Sequence, residues 1–126
     1  MIVMDSSGWV EMFTERPRWE EFRRRMDEAD GVLVPTVVLY EVYKIMRREM
    51  PPGLAEEMAG ELRSYHVVPL DAQLALDAAE YSLVHRLPMA DAIAYATAQA
   101  LGAVLVTGDV HFQGLPGVEY IAASDA

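Results

Sequence analysis

The sequence predicts an α/β protein with a central parallel sheet of four or five strands and helices on both faces. Three observations lead there. Short apolar runs alternate with longer segments of helical periodicity, the order that yields parallel strands joined by crossover helices. The strand candidates Ile2 to Met4, Val32 to Val34 and Ala103 to Thr107 are almost continuously apolar. Strands buried on both faces read this way, whereas half-exposed strands alternate. At 126 residues and 52% hydrophobic content, the chain has enough apolar surface for one domain, residues 1–126, with a substantial core.

Ile2 to Met4 is the first strand, ending at Asp5; Ser6 and Ser7 supply hydroxyls able to cap a helix from about Ser7 to Thr14. Pro17 breaks the chain. Arg18 to Ala29 resumes as a helix with Trp19, Phe22 and Met26 on one face, and Asp30-Gly31 stops it. Val32 to Val34 is the second strand, closed by Pro35. Thr36 is placed to cap a helix through about Glu49, and Pro51-Pro52-Gly53 forces a turn before a helix from about Leu54 to Tyr65. The third strand is His66 to Leu70. Asp71 caps a helix to about Arg86, Leu87-Pro88 interrupts, and an alanine-rich helix runs to about Leu101 with Gly102 as its stop. Ala103 to Thr107 is the fourth strand and Val118 to Ile121 the fifth; the final Ala122 to Ala126 is expected to fray. The first two crossovers each hold two helices.

Composition narrows the function. There are no cysteines, so disulfides and thiolate chemistry are excluded, in keeping with a reducing cytoplasm. The N-terminus has no basic region and apolar run of the signal-peptide kind, and Ala92 to Val106 is shorter than the ~20 residues a membrane span needs. Lys44 is the only lysine, and no phosphate-cradling Gly-rich loop ending in Lys can be written. A net charge of −10 disfavours a broad nucleic-acid face and favours a basic protein partner.

Four acids stand apart from the ordinary surface complement. Asp5 follows the first strand and Asp109 follows the fourth, each readable as a turn or cap residue on its own. Asp91 lies in the first turn of its helix, where the dipole favours an acid by ~0.3–1 kcal/mol. Glu41 changes the balance, because its helical neighbours Val37, Val38 and Ile45 put it in the apolar stripe, away from Lys44, Arg47 and Arg48. A carboxylate there needs a cation, a strong donor or a raised pKa; a salt bridge to arginine is the plainer alternative. The crevice beyond the carboxyl ends of parallel strands is where α/β proteins build sites. Four carboxylates entering it suit hard divalent cations, and two such cations ~3.5–4 Å apart can drive an in-line attack of water on a phosphodiester. Ser7 and Thr107 would then be supporting or substrate-contacting hydroxyls.

The blocks IVMDSS (2–7), PTVVLYEV (35–42), ADAIAYA (90–96) and LVTGDVHF (105–112) resemble, in order and spacing, the PIN-domain nucleases, and in particular the VapC-type toxins of prokaryotic toxin–antitoxin pairs. The resemblance implies a three-layer α/β/α fold, a Mg²⁺- or Mn²⁺-dependent endoribonuclease acting on RNA, a homodimer, and inhibition by a cognate antitoxin. It implies that Asp5, Glu41, Asp91 and Asp109 form the acidic, metal-holding quartet, with Ser7 and Thr107 as polar companions, and products bearing a 5′-phosphate and a 3′-hydroxyl. His111 departs from members in which a further acid follows; loop histidines are more often solvated than ligating, and a ligand or substrate contact is the alternative. His66 and His85 read as structural. Arg16, Arg18, Arg23, Arg24 and Arg25 are the best candidates for phosphate contacts, although their interleaved acids favour a solvated, ion-paired helix face. Tyr40, Tyr43, Met46, Met50 and Met58 default to core, with a partner groove as the alternative. Two other functions compete: a nuclease of the same fold acting on DNA or in RNA processing without an antitoxin, and, more remotely, a non-catalytic metal-binding signalling module, which lacks the late-strand lysine a receiver domain uses.

Overall fold

Ile2, Val3 and Met4 are each at most 2% exposed, so the first strand is covered on both sides. The structure, a computed structural model, describes residues 1–123; of the expected frayed end, residues 124–126 lie outside the described residues. Strands β1 (Ile2–Met4), β2 (Val32–Pro35), β3 (His66–Val68), β4 (Val104–Thr107) and β5 (Val118–Tyr120) form one sheet in the order β3-β2-β1-β4-β5. All four pairings are parallel. Helices α1 (Ser6–Phe13), α2 (Trp19–Glu28), α3 (Thr36–Glu49), α4 (Pro52–Arg63), α5 (Ala72–His85) and α6 (Met89–Ala100) connect them. A 3-10 turn at Val110–Phe112, absent from the sequence-based expectation, follows β4.

Side-chain alternation along the strands divides the core. Ile2, Met4, Val34 and Val106 pack on one side with Trp9, Phe22, Val38, Met46 and Leu62 of α1 to α4. Val3, Leu33 and Leu105 pack on the other with Tyr95 and the alanine face of α6. The result is the expected α/β/α layering. The small Ala92, Ala94, Ala96 and Ala98, all at most 2% exposed, let α6 lie close to the sheet. Trp9 locks α1 to β1 by donating its Nε1–H to the Met4 carbonyl at 3.1 Å.

Helix starts depart from expectation in three places, one being α4, which Pro52 and Gly53 open instead of forming a turn before Leu54. Asp5 itself, rather than Ser6 or Ser7, caps α1, accepting from the Gly8 N–H. Thr36 lies within α3, preceded by Pro35, and its hydroxyl accepts from the Leu70 N–H at 3.3 Å across to the segment after β3. Asp71 caps α5 as expected, through the Leu74 N–H at 2.8 Å. Gly102 closes α6 at φ +64°, a conformation natural to glycine. His85 is held between the rings of Tyr81 and Tyr95, and His66 lies exposed on β3, so neither enters the crevice described below. No described helix is long and apolar enough to cross a membrane.

Gly8 is where α1 passes closest to the strand below it. A Cβ there would lie 2.6 Å from Met4 Cγ and 2.9 Å from Phe22 Cδ1, both on fully buried side chains. Gly8→Ala is therefore expected to destabilise the protein by about 1–3 kcal/mol, the usual cost of overpacking a filled core. Urea denaturation measures this, and an unchanged midpoint would mean that the contact is slack.

Candidate active site

Strand β1 pairs with β2 on one side and β4 on the other, so the chain reverses its direction of sheet growth at β1. The carboxyl ends of β1 and β4 therefore bound a topological switch point, the crevice where open α/β sheets bind ligands. Asp5 leaves the end of β1 and Asp109 follows Thr107-Gly108 at the end of β4. Asp91 enters from the first turn of α6 and Glu41 from α3.

Asp5 is 4% exposed and accepts three hydrogen bonds. Its Oδ1 accepts from Ser7 Oγ at 2.7 Å and from the Gly8 N–H at 3.3 Å, and its Oδ2 accepts from Thr107 Oγ1 at 2.7 Å. Thr107 Oγ1 in turn accepts from the Asp109 N–H at 2.9 Å, and Ser7 Oγ accepts from the Gly108 N–H at 3.1 Å. Ser7 and Thr107 thus tie the β4 corner to Asp5. Burial pushes the Asp5 carboxyl up to about 6, the donors from Ser7, Thr107 and Gly8 pulling against it and Asp91 adding to it.

The open part of the crevice holds Asp91, Asp109 and His111. One ligand atom from each lies within 4.8 Å of the others. His111 Nδ1 is 2.8 Å from Asp109 Oδ1 and 3.9 Å from Asp91 Oδ2, and Asp109 Oδ1 also accepts from the His111 N–H at 2.9 Å. Burial raises Asp91 to about 6, reinforced by Asp109 and Glu41 and opposed by His111. Glu41 is half-buried on the flank of the α3 stripe, whose centre is Val38, Val42 and Met46. Burial raises its pKa as well; a hydrogen bond from Ser6 opposes this, and Asp5 and Asp109 add to it. The alternative of an arginine partner for Glu41 does not hold among the ion pairs of the described residues.

The donor set of two carboxylates and an imidazole fits a divalent cation, the carboxylates suiting Mg²⁺ or Mn²⁺ and the imidazole favouring the softer of the two. His111 is exposed yet bonded inside this group, a placement that a loop histidine two residues past an acid does not announce. Arg18 is the other surprise. Arg16, Arg18, Arg23 and Arg25 pair with Glu49, Glu11, Asp27 and Glu119 respectively; only Asp27 is one of the interleaved acids, and the other three partners lie on α3, α1 and β5. Arg18, however, has only 17% of its side chain exposed and reaches Gly108, and Glu11 beneath it is 7% exposed. The only sequence signal for this pair was a glutamate among Trp9, Val10, Met12 and Phe13.

A model of the PIN domain family matches residues 2–118. The chain belongs to the PIN domain family. Solved PIN-like structures are similar over nearly the whole chain at low sequence identity. A chain of a toxin–antitoxin complex from Klebsiella pneumoniae matches at TM-score 0.82 and 19% identity, covering 96% of this chain and 100% of that one. VapC20 of Mycobacterium tuberculosis, a sarcin-ricin loop cleaving toxin, matches at 0.74 and 19%, covering 90% and 92%. VapBC-1 from nontypeable Haemophilus influenzae matches at 0.74 and 18%, covering 97% and 98%. No curated protein sequence matches the chain. Among the described residues, Asp91, Asp109 and His111 in the crevice at the ends of β1 and β4 are the one group of three side chains placed to hold a metal ion.

Burial of the crevice carboxylates, with their like charges adding to it, works against the stability of the metal-free PIN domain. Asp5 and Asp91 have folded pKa values of about 6 against 3.8 for the unconstrained side chain. The folded state therefore binds protons that the unfolded state has released. Their contribution to stability is fully present below about pH 3.8 and is lost as pH rises through about 6. With chelator present, Asp91→Asn should melt about 3–8 °C above the parent at pH 7.5. The gap should close by about pH 4.5. Thermal melts across this range measure it; a variant melting below the parent at pH 7.5 would contradict the charge penalty.

Proposed function

We propose that the protein is a divalent-metal-dependent endoribonuclease, the toxin of a toxin–antitoxin pair. The observation that carries the reading is the convergence of Asp91, Asp109 and His111, with ligand atoms within 4.8 Å of one another beside the buried Asp5. In this reading Asp91 and Asp109 hold Mg²⁺ or Mn²⁺, with His111 as a third donor and Asp5 and Glu41 completing the acidic quartet. When bound, the cation supplies Lewis-acid stabilisation of the phosphodiester charge and eases deprotonation of the attacking water. Glu41, on the open flank of the crevice, orients that water. The oxygen of the water bonds to phosphorus as the bond to the 3′ oxygen breaks, and a proton from the water ends on that 3′ oxygen, leaving a 3′-hydroxyl and a 5′-phosphate. Ser7 and Thr107 keep Asp5 ionisable by donating to it and hold the Asp109 corner in register.

Two surfaces support the partner assignments. A shallow apolar slot between α3 and α4, about 310 Å³, is lined by Leu39, Tyr40, Tyr43 and Ala59 with Arg63 at its edge. Tyr40 is 62% exposed there, so the slot suits an apolar segment of an antitoxin. On the opposite layer, Leu76, Leu83, Val84 and Met89 are between 64% and 79% exposed along α5 and the start of α6. Isolated apolar residues are ordinary on a surface, but a row of this kind suits burial against a second copy. The structural similarity to VapC20, described as cleaving the sarcin-ricin loop, favours RNA over DNA as substrate.

The test is cleavage of structured RNA by purified protein with Mn²⁺, Mg²⁺ or chelator. Cleavage should require metal, and Asp91→Asn should lower it by at least about a hundredfold while leaving the protein folded. Calorimetric titration should show Mn²⁺ binding that Asp91→Asn and His111→Ala each weaken. Full RNA cleavage by Asp91→Asn, or cleavage of DNA alone, would sink the reading.

A further inference from the structure

Arg18 lies far from the acids in sequence yet touches the loop that presents Asp109. Its Nη1 donates to the Gly108 carbonyl at 3.1 Å and to the Ile121 carbonyl at 2.9 Å, while Nη2 donates to Glu11 Oε1 at 3.0 Å. The Arg18 backbone N–H donates to Glu11 Oε2 at 2.9 Å, so Glu11 grips both ends of the residue. The Phe22 ring lies 5.9 Å from the guanidinium carbon. One side chain thereby joins α1, the β4 corner and the segment after β5.

Gly108 is fitted to this guanidinium. A Cβ at Gly108 would stand 2.7 Å from Arg18 Nη1 and 2.9 Å from its Cζ. The end of an arginine ordinarily moves aside at little cost, but here doing so would forfeit its bonds to Glu11 and two carbonyls. On the other side of the same peptide segment, the Gly108 N–H goes to Ser7 and the Asp109 N–H to Thr107. The corner is held from both sides: by hydroxyls bound to Asp5 and by a guanidinium bound to Glu11. Planar, multiply donating geometry is what arginine offers and lysine does not.

We infer that Arg18, oriented by Glu11, is a positioning residue that fixes the Gly108–Asp109 corner and with it the metal-binding geometry of Asp109. The inference rests on the nuclease reading for its effect on turnover, and on the Gly108 contact alone for its effect on the corner. Partners that orient metal-holding side chains typically carry a tenfold to hundredfold share of affinity or activity.

Arg18→Lys retains the charge but presents it as a single point, and Glu11→Gln loosens the grip on Arg18 without touching the corner. In metal-free protein, the Asp109 amide should exchange with solvent at least about tenfold faster in Arg18→Lys than in the parent, read by NMR. Mn²⁺ affinity by calorimetry should fall by about tenfold to hundredfold. RNA cleavage at fixed Mn²⁺ should lose kcat with KM unchanged, and saturating Mn²⁺ should restore it. Glu11→Gln should show the same pattern more weakly, and it carries the test if Arg18→Lys does not fold. Asp109 exchange and Mn²⁺ affinity at parental values, despite a lower melting temperature, would make Arg18 a brace only and overturn the inference. A parent protein that binds no Mn²⁺ and cleaves no RNA would refute the nuclease reading instead, and the Asp109 exchange rate would still decide whether Arg18 sets the corner.

Discussion

The Asp5 carboxylate ends the central strand, caps the helix that follows it and is 4% exposed, so its burial constrains everything around the crevice. Desolvating a carboxylate is costly unless donors replace water. Here two hydroxyls and one backbone N–H do so, and they come from both β1 and β4 sides of the switch point. Thr107 is decisive among them. It can donate to Asp5 while accepting from the Asp109 N–H only because a hydroxyl does both, which valine of the same shape could not. The position of the second acid in the crevice is thereby slaved to the first.

The fold supports this arrangement by being stiff where the acids attach. Met4, Val106 and Leu105, which lead into the two acid-bearing corners, are fully buried between the two helical layers. Packed interiors resist small displacements, so corners rooted in them keep their separation despite mutual repulsion. The cost of gathering these acids persists nonetheless, since Asp5, Glu41 and Asp91 all have raised pKa values, with burial as the leading cause and neighbouring acids adding to it. Such clustering against the stability of the metal-free protein is the expected signature of residues kept for binding rather than folding.

Most of the fold was legible because it depends on local signals. Apolar runs, the Asp71 cap and the Gly102 stop mark elements that a few neighbouring residues determine, and they lie where the sequence places them, whereas Pro52 and Gly53 open α4 instead of forming the expected turn. The convergence of acids was legible to the extent that strand ends predict it. What escaped depends on contacts across the chain. Asp5 displaced Ser6 and Ser7 as the cap of α1 because Ser7 is committed to Asp5 and to the Gly108 N–H, a partner that appears only once β1 and β4 pair. Glu41 was read within an apolar stripe and sits on its flank, since helical periodicity alone cannot say which part of a wide stripe the sheet covers. Arg18 looked like one of several surface arginines, and the one hint near it, Glu11 in an apolar stretch, does not say which arginine reaches 90 residues along the chain.

The acids of the crevice are not interchangeable, and the difference follows from counting lone pairs. A carboxylate accepts about four hydrogen bonds, and Asp5 has filled three of its positions with Ser7, Gly8 and Thr107. What remains is on Oδ2, enough for one further donor or one cation. Asp109 has one oxygen, Oδ1, occupied by His111 and the other without a hydrogen bond among the described residues, while Asp91 meets only the imidazole at 3.9 Å. Capacity to coordinate is therefore concentrated at Asp91 and Asp109, and Asp5 acts chiefly through charge and position. Removing charge at Asp5 would leave the Ser7 and Thr107 hydroxyls to find new acceptors inside the fold. Removing it at Asp91 would disturb little besides the crevice, which makes Asp91 the cleaner probe of whether the site exists to hold a cation.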